Sequence, residues 1–131
     1  MRGLDTNILV RHVTDDDPAQ SAVVRALFRK MEAEGERLHV SCIALCELCW
    51  TLRGYEYSRR DISAVLAKML ETGLFEIQDS DLVRRALEEY LQGKADFADY
   101  LIGQQNGRAG CTDTITFDRN LKKASGFSLL G

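Results

Sequence analysis

Apolar and polar residues alternate in blocks along the whole chain, and the spacing within each block indicates a helix or a strand. In the longer blocks the apolar positions recur every three or four residues, which is the period of an amphipathic helix. Shorter apolar runs between these blocks have the length of buried strands. The blocks follow one another without a linker or a repeat, which predicts one domain over residues 1–131.

Local signals mark the ends of several predicted helices. Pro18 follows a run of aspartates and is typical of a first helical turn, while Ser41 and Ser58 are typical N-caps. Gly73 and Gly93 are placed where helices would end. The predicted helices cover residues 8–13, 19–34, 42–52, 59–72, 81–92 and 95–107, with a brief helical turn over 120–124.

Short strands are predicted between these helices. They cover residues 2–5, 38–41, 75–78, 111–116 and 127–130. Strands separated by helices of this length pair in parallel through right-handed crossovers. The predicted class is α/β, with three α/β/α layers around a mostly parallel central sheet. Functional sites of such sheets lie beyond the carboxyl ends of the strands, here near residues 5–7 and 116–118.

Composition indicates a folded protein with a modest negative charge. Hydrophobic residues make up 45% of the 131 positions and charged residues 28%, which excludes the disordered and collagen-like classes. The 17 Lys and Arg against 20 Asp and Glu give a net charge of −3. Because the chain is mildly acidic, it does not bind nucleic acid through bulk charge, and any such contact must be local.

Several features predict a cytoplasmic protein. No apolar run approaches the ~18 residues of a membrane span, and the first residues lack the apolar segment of a secretory signal. Three of the four cysteines, Cys42, Cys46 and Cys49, share one face of an apolar helix. This placement favours small buried residues in a reducing compartment over disulfides or a zinc site.

Acidic residues in otherwise apolar segments are the main candidate functional groups. Asp5 ends the first apolar segment, and Glu47 is the one charged residue between positions 40 and 52. Asp96 and Asp99 are the only charges between positions 95 and 102, and their spacing places them on one helix face. Asp118 ends the fourth predicted strand. A carboxylate in such surroundings is either buried or lines a cavity.

Each acid also has a purely structural explanation. Asp5 can cap the short helix after it, and the acid that ends the fourth strand can cap the following turn. Asp96 can interact with a helix dipole, and Glu47 can pair with Arg53 or Arg11. The strand-end rule nevertheless predicts that these acids meet at the same edge of the sheet.

Four carboxylates that meet at one point require a counter-charge. At ~4 Å and an effective dielectric constant of ~20, each like-charged pair costs about 4 kcal/mol. Such a cluster must become protonated, spread apart or bind a cation, and oxygen ligands favour Mg²⁺ or Mn²⁺ over zinc. The two histidines, His12 and His39, are expected to be incidental to this cluster.

A divalent ion among carboxylates suits hydrolysis of a phosphodiester. Thr6, Asn7 and Thr116 can orient water or a metal ligand by hydrogen bonding. A phosphate substrate also needs a basic rim, although most surface cations simply keep a protein in solution. The candidates for this rim are Arg11, Arg53, Arg59, Arg60, Arg119, Lys122 and Lys123.

Four segments in order resemble one known family. They are LDTNILVR at residues 4–11, ALCELCWTL at 44–52, ADFADYLIG at 95–103 and TFDRNL at 116–121. With these segments the chain resembles the PIN-domain ribonucleases, and among them the VapC-type toxins of type II toxin–antitoxin systems, including the FitB-like branch. The resemblance implies a small α/β/α domain with a Mg²⁺- or Mn²⁺-dependent endoribonuclease site.

The resemblance also implies roles for individual residues. The metal-binding and catalytic acids would be Asp5, Glu47, Asp99 and Asp118. Supporting residues beside these acids would be Thr6, Asn7, Asp96 and Thr116. The polar residues 103–107 depart from the Ala-rich helix that the family usually has there.

Partners follow from the resemblance as well. It implies an RNA substrate, a cognate antitoxin of the VapB type that covers the active site, a homodimer, and contact with DNA only through the antitoxin. Trp50, Leu52, Tyr55 and Tyr57 either supply an apolar groove for a partner helix or belong to the core.

Two other functions are open at this point. A PIN-like module can hold RNA or a partner protein without cleavage, which predicts binding that does not depend on metal. A haloacid-dehalogenase-like phosphatase would use Asp5 as its nucleophile, but its acid–base Asp is replaced by Asn7.

Overall fold

The first sheet of the computed structural model consists of three parallel strands in the order β1-β2-β3. They are β1 (Arg2–Gly3), β2 (Leu38–Val40) and β3 (Phe75–Ile77). The middle strand pairs with both neighbours, and its Leu38 and Val40 side chains are fully buried. Parallel neighbours need a long crossover, and helices supply both crossovers here. The parallel pairing expected from the sequence is confirmed.

Two helices form each crossover of this sheet. They are α1 (Thr6–Val13), α2 (Pro18–Ala33), α3 (Cys42–Gly54) and α4 (Arg59–Glu71). The third helix is the most apolar, and its Leu45, Leu48 and Leu52 side chains are at most 1% exposed. Full burial of each leucine contributes roughly 1.5–3 kcal/mol, so the core fixes the position of α3.

The structure describes residues 1–131, which divide into two compact units, Met1–Ser80 and Asp81–Gly131. The later elements are α5 (Ser80–Gln92), α6 (Phe97–Arg108), β4 (Thr114–Thr116), a 3₁₀ turn (Arg119–Leu121) and β5 (Phe127–Leu129). The rings of Tyr90 and Phe97 meet edge to face in the second unit, with their centroids 6.2 Å apart. A single domain over both units stays a prediction.

The last two strands differ from the expected single sheet. β4 pairs in parallel with β5, and together they form a separate two-stranded sheet. The Thr114 amide donates to the Gly126 carbonyl, and the Leu130 amide donates to the Thr116 carbonyl. Backbone groups at both ends of the β4–β5 pair are therefore hydrogen-bonded between these two segments. The α/β class and the parallel pairing are confirmed, but hydrogen bonding does not join all five strands in one ladder.

Capping residues explain where the helices begin. Ser41 and Ser58 are N-caps as predicted, and their hydroxyl oxygens accept from amides three residues later. The first helix begins at Thr6 rather than residue 8, and the sixth begins at Phe97 rather than residue 95, because an aspartate caps each. None of the helices is both long enough and apolar enough to cross a membrane.

Candidate active site

Asp5 lies two residues after the end of β1 and caps the first helix. Its backbone is extended (φ −82°, ψ 158°), and its Oδ1 accepts a hydrogen bond from the Thr6 amide at 2.7 Å. The first amides of a helix have no partner within the helix, so a short acidic side chain is favoured here. The capping role considered from the sequence is therefore present. It occupies one carboxylate oxygen and leaves Oδ2 available to a ligand.

Glu47 lies on α3, and its carboxylate is joined to the Asp5 segment. The Thr6 hydroxyl donates to Glu47 Oε1 at 2.8 Å. Asp5 caps α1 and Glu47 lies within α3. These helices follow the neighbouring parallel strands β1 and β2, so both begin at the same edge of the first sheet. For this pair of acids the strand-end rule holds. Glu47 is exposed and makes no salt bridge with Arg11.

An open pocket of about 370 Å³ lies where these two acids meet. Its polar lining includes both carboxylates together with the side chains of Thr6, Asn7 and Thr51. Asp5 and Asn7 are exposed at its mouth, whereas Thr6 is half-buried. The pocket therefore presents carboxylate, hydroxyl and amide oxygens, which are the donors that Mg²⁺ and Mn²⁺ prefer.

Asp16 organises one wall of this pocket, a role that no sequence pattern indicated. Its carboxylate accepts from the Tyr55 hydroxyl at 2.8 Å, from the Thr14 hydroxyl at 2.9 Å and from Arg11 Nη1 at 3.0 Å. The hydrogen bonds from Tyr55 and Thr14, with the charge of Arg11, lower the pKa of Asp16. Arg11 also donates to Gln20 Oε1, so its charge is partly neutralised at the pocket wall.

In the second unit, Asp96 and Asp99 form a capping box at the start of α6. Asp96 is the extended N-cap residue (φ −74°, ψ 153°), and Asp99 Oδ2 accepts from its backbone amide at 3.1 Å. The expectation that both acids lie within the helix is wrong for Asp96, because the helix begins one residue after it. The two carboxylates are nevertheless held at the same helix end.

Ionisation of the Asp99 carboxyl is disfavoured by its surroundings. Burial is the largest cause of its raised pKa, and the negative charges of Asp96 and Asp118 raise the pKa further. The hydrogen bond from the Asp96 amide opposes these effects without reversing them. The second unit thus brings three of the predicted acids within electrostatic reach of one another.

Asp118 follows β4, and its surroundings fix its side chain. Its Oδ1 accepts from the Asn120 amide at 2.9 Å, which caps the 3₁₀ turn. Its own amide donates to the Thr116 hydroxyl at 3.0 Å. Asp118 therefore caps the turn that follows it, as the sequence allowed. Thr116 supports the backbone of this acid.

A comparison with protein families decides what kind of domain carries these acids. The family model for the PIN domain matches residues 4–126, a range that includes all the predicted acids. The chain belongs to the PIN domain family. This membership confirms the resemblance that the sequence motifs indicated, and with it the α/β/α fold class.

This PIN domain is similar in sequence to a protein named as a ribonuclease. The chain is 27% identical to a "VapC ribonuclease" from Aquifex aeolicus (strain VF5) over 124 residues. The match covers 94% of this chain and 91% of that protein. The relative is thus similar over almost the full length of both chains.

The acids of this PIN domain form two groups rather than one tight cluster. Asp5 and Glu47 line one pocket, and Asp99 interacts electrostatically with Asp96 and Asp118. No three His, Cys, Asp or Glu side chains are close enough together to hold a metal ion between them. Mg²⁺ commonly takes only one or two carboxylates from a protein and keeps water or substrate phosphate at its other positions. The donor chemistry of the Asp5–Glu47 pair therefore fits a hard divalent ion, and the four-acid site stays a prediction.

The expectation that Asp5 and Asp118 follow strands of one sheet is wrong. Asp5 follows β1, which pairs with β2, whereas Asp118 follows β4, which pairs only with β5. Alternation of strands and helices predicts parallel pairing, but it does not say which strands are neighbours.

The two histidines and the side chains considered for a partner groove also have defined positions in the structure. His12 packs against Phe28 with ring centroids 4.8 Å apart, and burial, with the charge of Lys68, lowers its pKa. His39 lies within β2. Of the aromatic and apolar side chains considered for a partner groove, Leu52 is fully buried, while Trp50 is 52% exposed.

Proposed function

We propose that this PIN domain is a Mg²⁺- or Mn²⁺-dependent endoribonuclease and the toxin of a toxin–antitoxin pair. The observation that carries the proposal is the Asp5–Thr6–Glu47 arrangement, which holds two exposed carboxylates at one pocket. Family membership supports it, as does similarity to a protein named as a ribonuclease. The acids proposed to hold the ion are Asp5, Glu47, Asp99 and Asp118.

The side chains around these acids have separate tasks in this proposal. When bound, a divalent ion would supply Lewis-acid polarisation of the scissile phosphate and activation of water. Thr6 orients Glu47 by donating to one of its oxygens, which leaves the other oxygen for the ion. Asp5 likewise uses one oxygen for its helix cap and offers the other.

Asp99 has a further task because its carboxylate resists ionisation. Burial and two neighbouring carboxylates raise its pKa, so a cation nearby would relieve a real electrostatic cost. Asp96 holds the Asp99 carboxylate through its backbone amide, which is a positioning role. Thr116 supports Asp118 through the backbone instead, because its hydroxyl accepts from the Asp118 amide.

We further propose a cognate antitoxin of the VapB type, a homodimer, and DNA contact only through the antitoxin. These partners rest on the resemblance and on the similarity to the VapC ribonuclease. Growth arrest on expression of this chain alone, relieved when the neighbouring gene is expressed with it, would support the toxin–antitoxin part. Harmless expression together with metal-independent RNA binding would favour a non-cleaving module instead.

The catalytic part is tested by removing charge while keeping the helix caps. Asn is as good an N-cap as Asp, so Asp5→Asn keeps the cap of α1 and removes its charge. In Asp99→Asn the side-chain amide oxygen can still accept from the Asp96 amide, so this variant also removes mainly the carboxylate charge. Each should lower Mn²⁺-dependent RNA cleavage by more than the roughly 10–100-fold loss typical of an outer-shell partner. Cleavage is followed on a labelled RNA with and without EDTA.

Asp17→Asn is the matched control for this experiment. Asp17 caps α2 by accepting from the Gln20 amide at 3.1 Å and lies outside the proposed site. This variant should cleave RNA like the wild type. Full activity of both Asp5→Asn and Asp99→Asn would refute the assigned site.

A further inference from the structure

A second pocket, of about 640 Å³, lies within the Asp81–Gly131 unit and is lined by basic side chains. Lys94 contributes from the turn between α5 and α6, and the residues around the 3₁₀ turn contribute the others. The basic residues are Lys94, Arg119, Lys122 and Lys123. We call this group the basic pocket.

The positive charges of the basic pocket are not neutralised by the protein. All four basic side chains are exposed, and none of them forms a salt bridge. The one acid in the lining, Glu89, accepts a hydrogen bond from Gln104 Nε2 at 2.6 Å. In a chain with a net charge of −3, this is a concentrated positive region, as a local contact with a polyanion requires.

One wall of the pocket is held in place by Tyr100. This side chain is 2% exposed, and its hydroxyl accepts from the amides of Lys94 and Ala95 at 3.2 and 3.3 Å. A Cβ at Gly93 would lie 1.8 Å from the same hydroxyl oxygen, so only glycine allows this close approach. The backbone that carries Lys94 is therefore fixed before any ligand binds.

The 3₁₀ turn forms another part of the lining, and it is also anchored. Leu121 is 1% exposed, and the Asp118 carboxylate caps the turn through the Asn120 amide. Arg119 therefore follows directly in sequence after an acid that we propose to bind the metal. A substrate held in the basic pocket would lie beside that part of the proposed site.

We propose that the basic pocket binds the phosphate backbone of the RNA substrate next to the scissile phosphodiester. Four exposed cations match a run of phosphates, and no exposed large apolar side chain lines the pocket to anchor a protein partner. The identity of the polyanion as substrate rests on the proposed ribonuclease function.

The test compares two double variants that each remove two positive charges. Lys122→Ala/Lys123→Ala alters the basic pocket, whereas Lys30→Ala/Arg85→Ala removes exposed charges outside it. Binding of a short single-stranded RNA is measured by fluorescence anisotropy in EDTA over a range of salt concentrations, and a gel confirms that the RNA stays intact. Thermal melting verifies that both variants are folded.

The expected result is a change in salt dependence for the pocket variant alone. Each lost phosphate contact reduces the slope of log Kd against log salt by about 0.7 for a single strand, so two lost contacts reduce it by about 1.4. The control double variant should keep the wild-type slope. Equal slopes for all three proteins would overturn the proposal, even if the wild type cleaves RNA.

Two further arms separate the possible failures. If the slope of log Kd against log salt is reduced in the pocket variant but the wild type does not cleave RNA with Mn²⁺, RNA binding by the basic pocket is supported and the proposed ribonuclease function fails. Polyglutamate serves as a probe for acidic polypeptides. If the pocket variant loses polyglutamate binding while its RNA binding is unchanged, the pocket serves a protein partner and the proposal is wrong.

Discussion

Single hydrogen bonds determine how the acids of this PIN domain are presented. Asp5 and Asp118 each use one oxygen to cap a helical element, and Asp99 accepts from the Asp96 amide. Capping and metal binding are therefore compatible, because a carboxylate has more than one acceptor site. The structural and functional explanations of these residues do not exclude each other.

Thr6 offers the most specific test of this arrangement. Thr6→Val keeps the shape of the side chain but removes the hydroxyl that donates to Glu47. We expect RNA cleavage to fall roughly 10–100-fold, as is usual when a residue that orients a metal ligand is lost. Thr6→Ser retains the hydroxyl and should keep most of the activity. Equal activity of the two variants would show that Glu47 does not need this hydrogen bond.

The raised pKa of Asp99 predicts a pH-dependent stability difference. A carboxyl with a higher pKa in the folded state costs stability when it is ionised, and the cost disappears below its pKa in the unfolded state, about 3.9. In metal-free buffer, Asp99→Asn should therefore melt at a higher temperature than the wild type at pH ~7. The two melting temperatures should converge as the pH falls towards ~3. A variant less stable than the wild type at neutral pH would contradict the direction of the shift.

Helices were the elements that the sequence predicted best. Amphipathic spacing and capping serines located α2, α3, α4 and α5 to within a residue or two. The predicted strands are one to three residues longer than the observed ones, because the sequence does not mark where pairing with a neighbouring strand ends. β4, for example, begins at Thr114 rather than residue 111. Periodicity also says nothing about which strands pair, so the separate β4–β5 sheet was not foreseen.

Packing of α6 against β5 gives a prediction about stability. A Cβ at Gly103 would lie 2.7 Å from the Phe127 ring, so Gly103→Ala should lower the free energy of unfolding by about 1–3 kcal/mol. Gly107 lies on the same helix with nothing within 4 Å, and Gly107→Ala should instead raise this free energy by about 0.5–1 kcal/mol. Urea denaturation of both variants measures the difference. A stabilised Gly103→Ala would mean that the ring is free to move aside.

Over the whole chain, the four motifs predicted the family but not the grouping of the acids. The motifs are local and so can be read directly, which is why family membership was predicted correctly. Asp16, by contrast, joins Arg11 to Tyr55 from a loop without any periodic pattern. Contacts between such distant positions depend on tertiary structure, and no spacing rule indicates them.

Mn²⁺ binding measured by titration calorimetry tests the central proposal most directly. Wild-type protein and Asp17→Asn should bind the ion with the same affinity, whereas Asp5→Asn, from the first unit, and Asp99→Asn, from the second, should each weaken binding at least tenfold. Weaker binding in both variants would mean that both carboxylates are needed for full affinity for the ion. Wild-type affinity in either Asn variant, or no binding by the wild type, would contradict the proposed metal site.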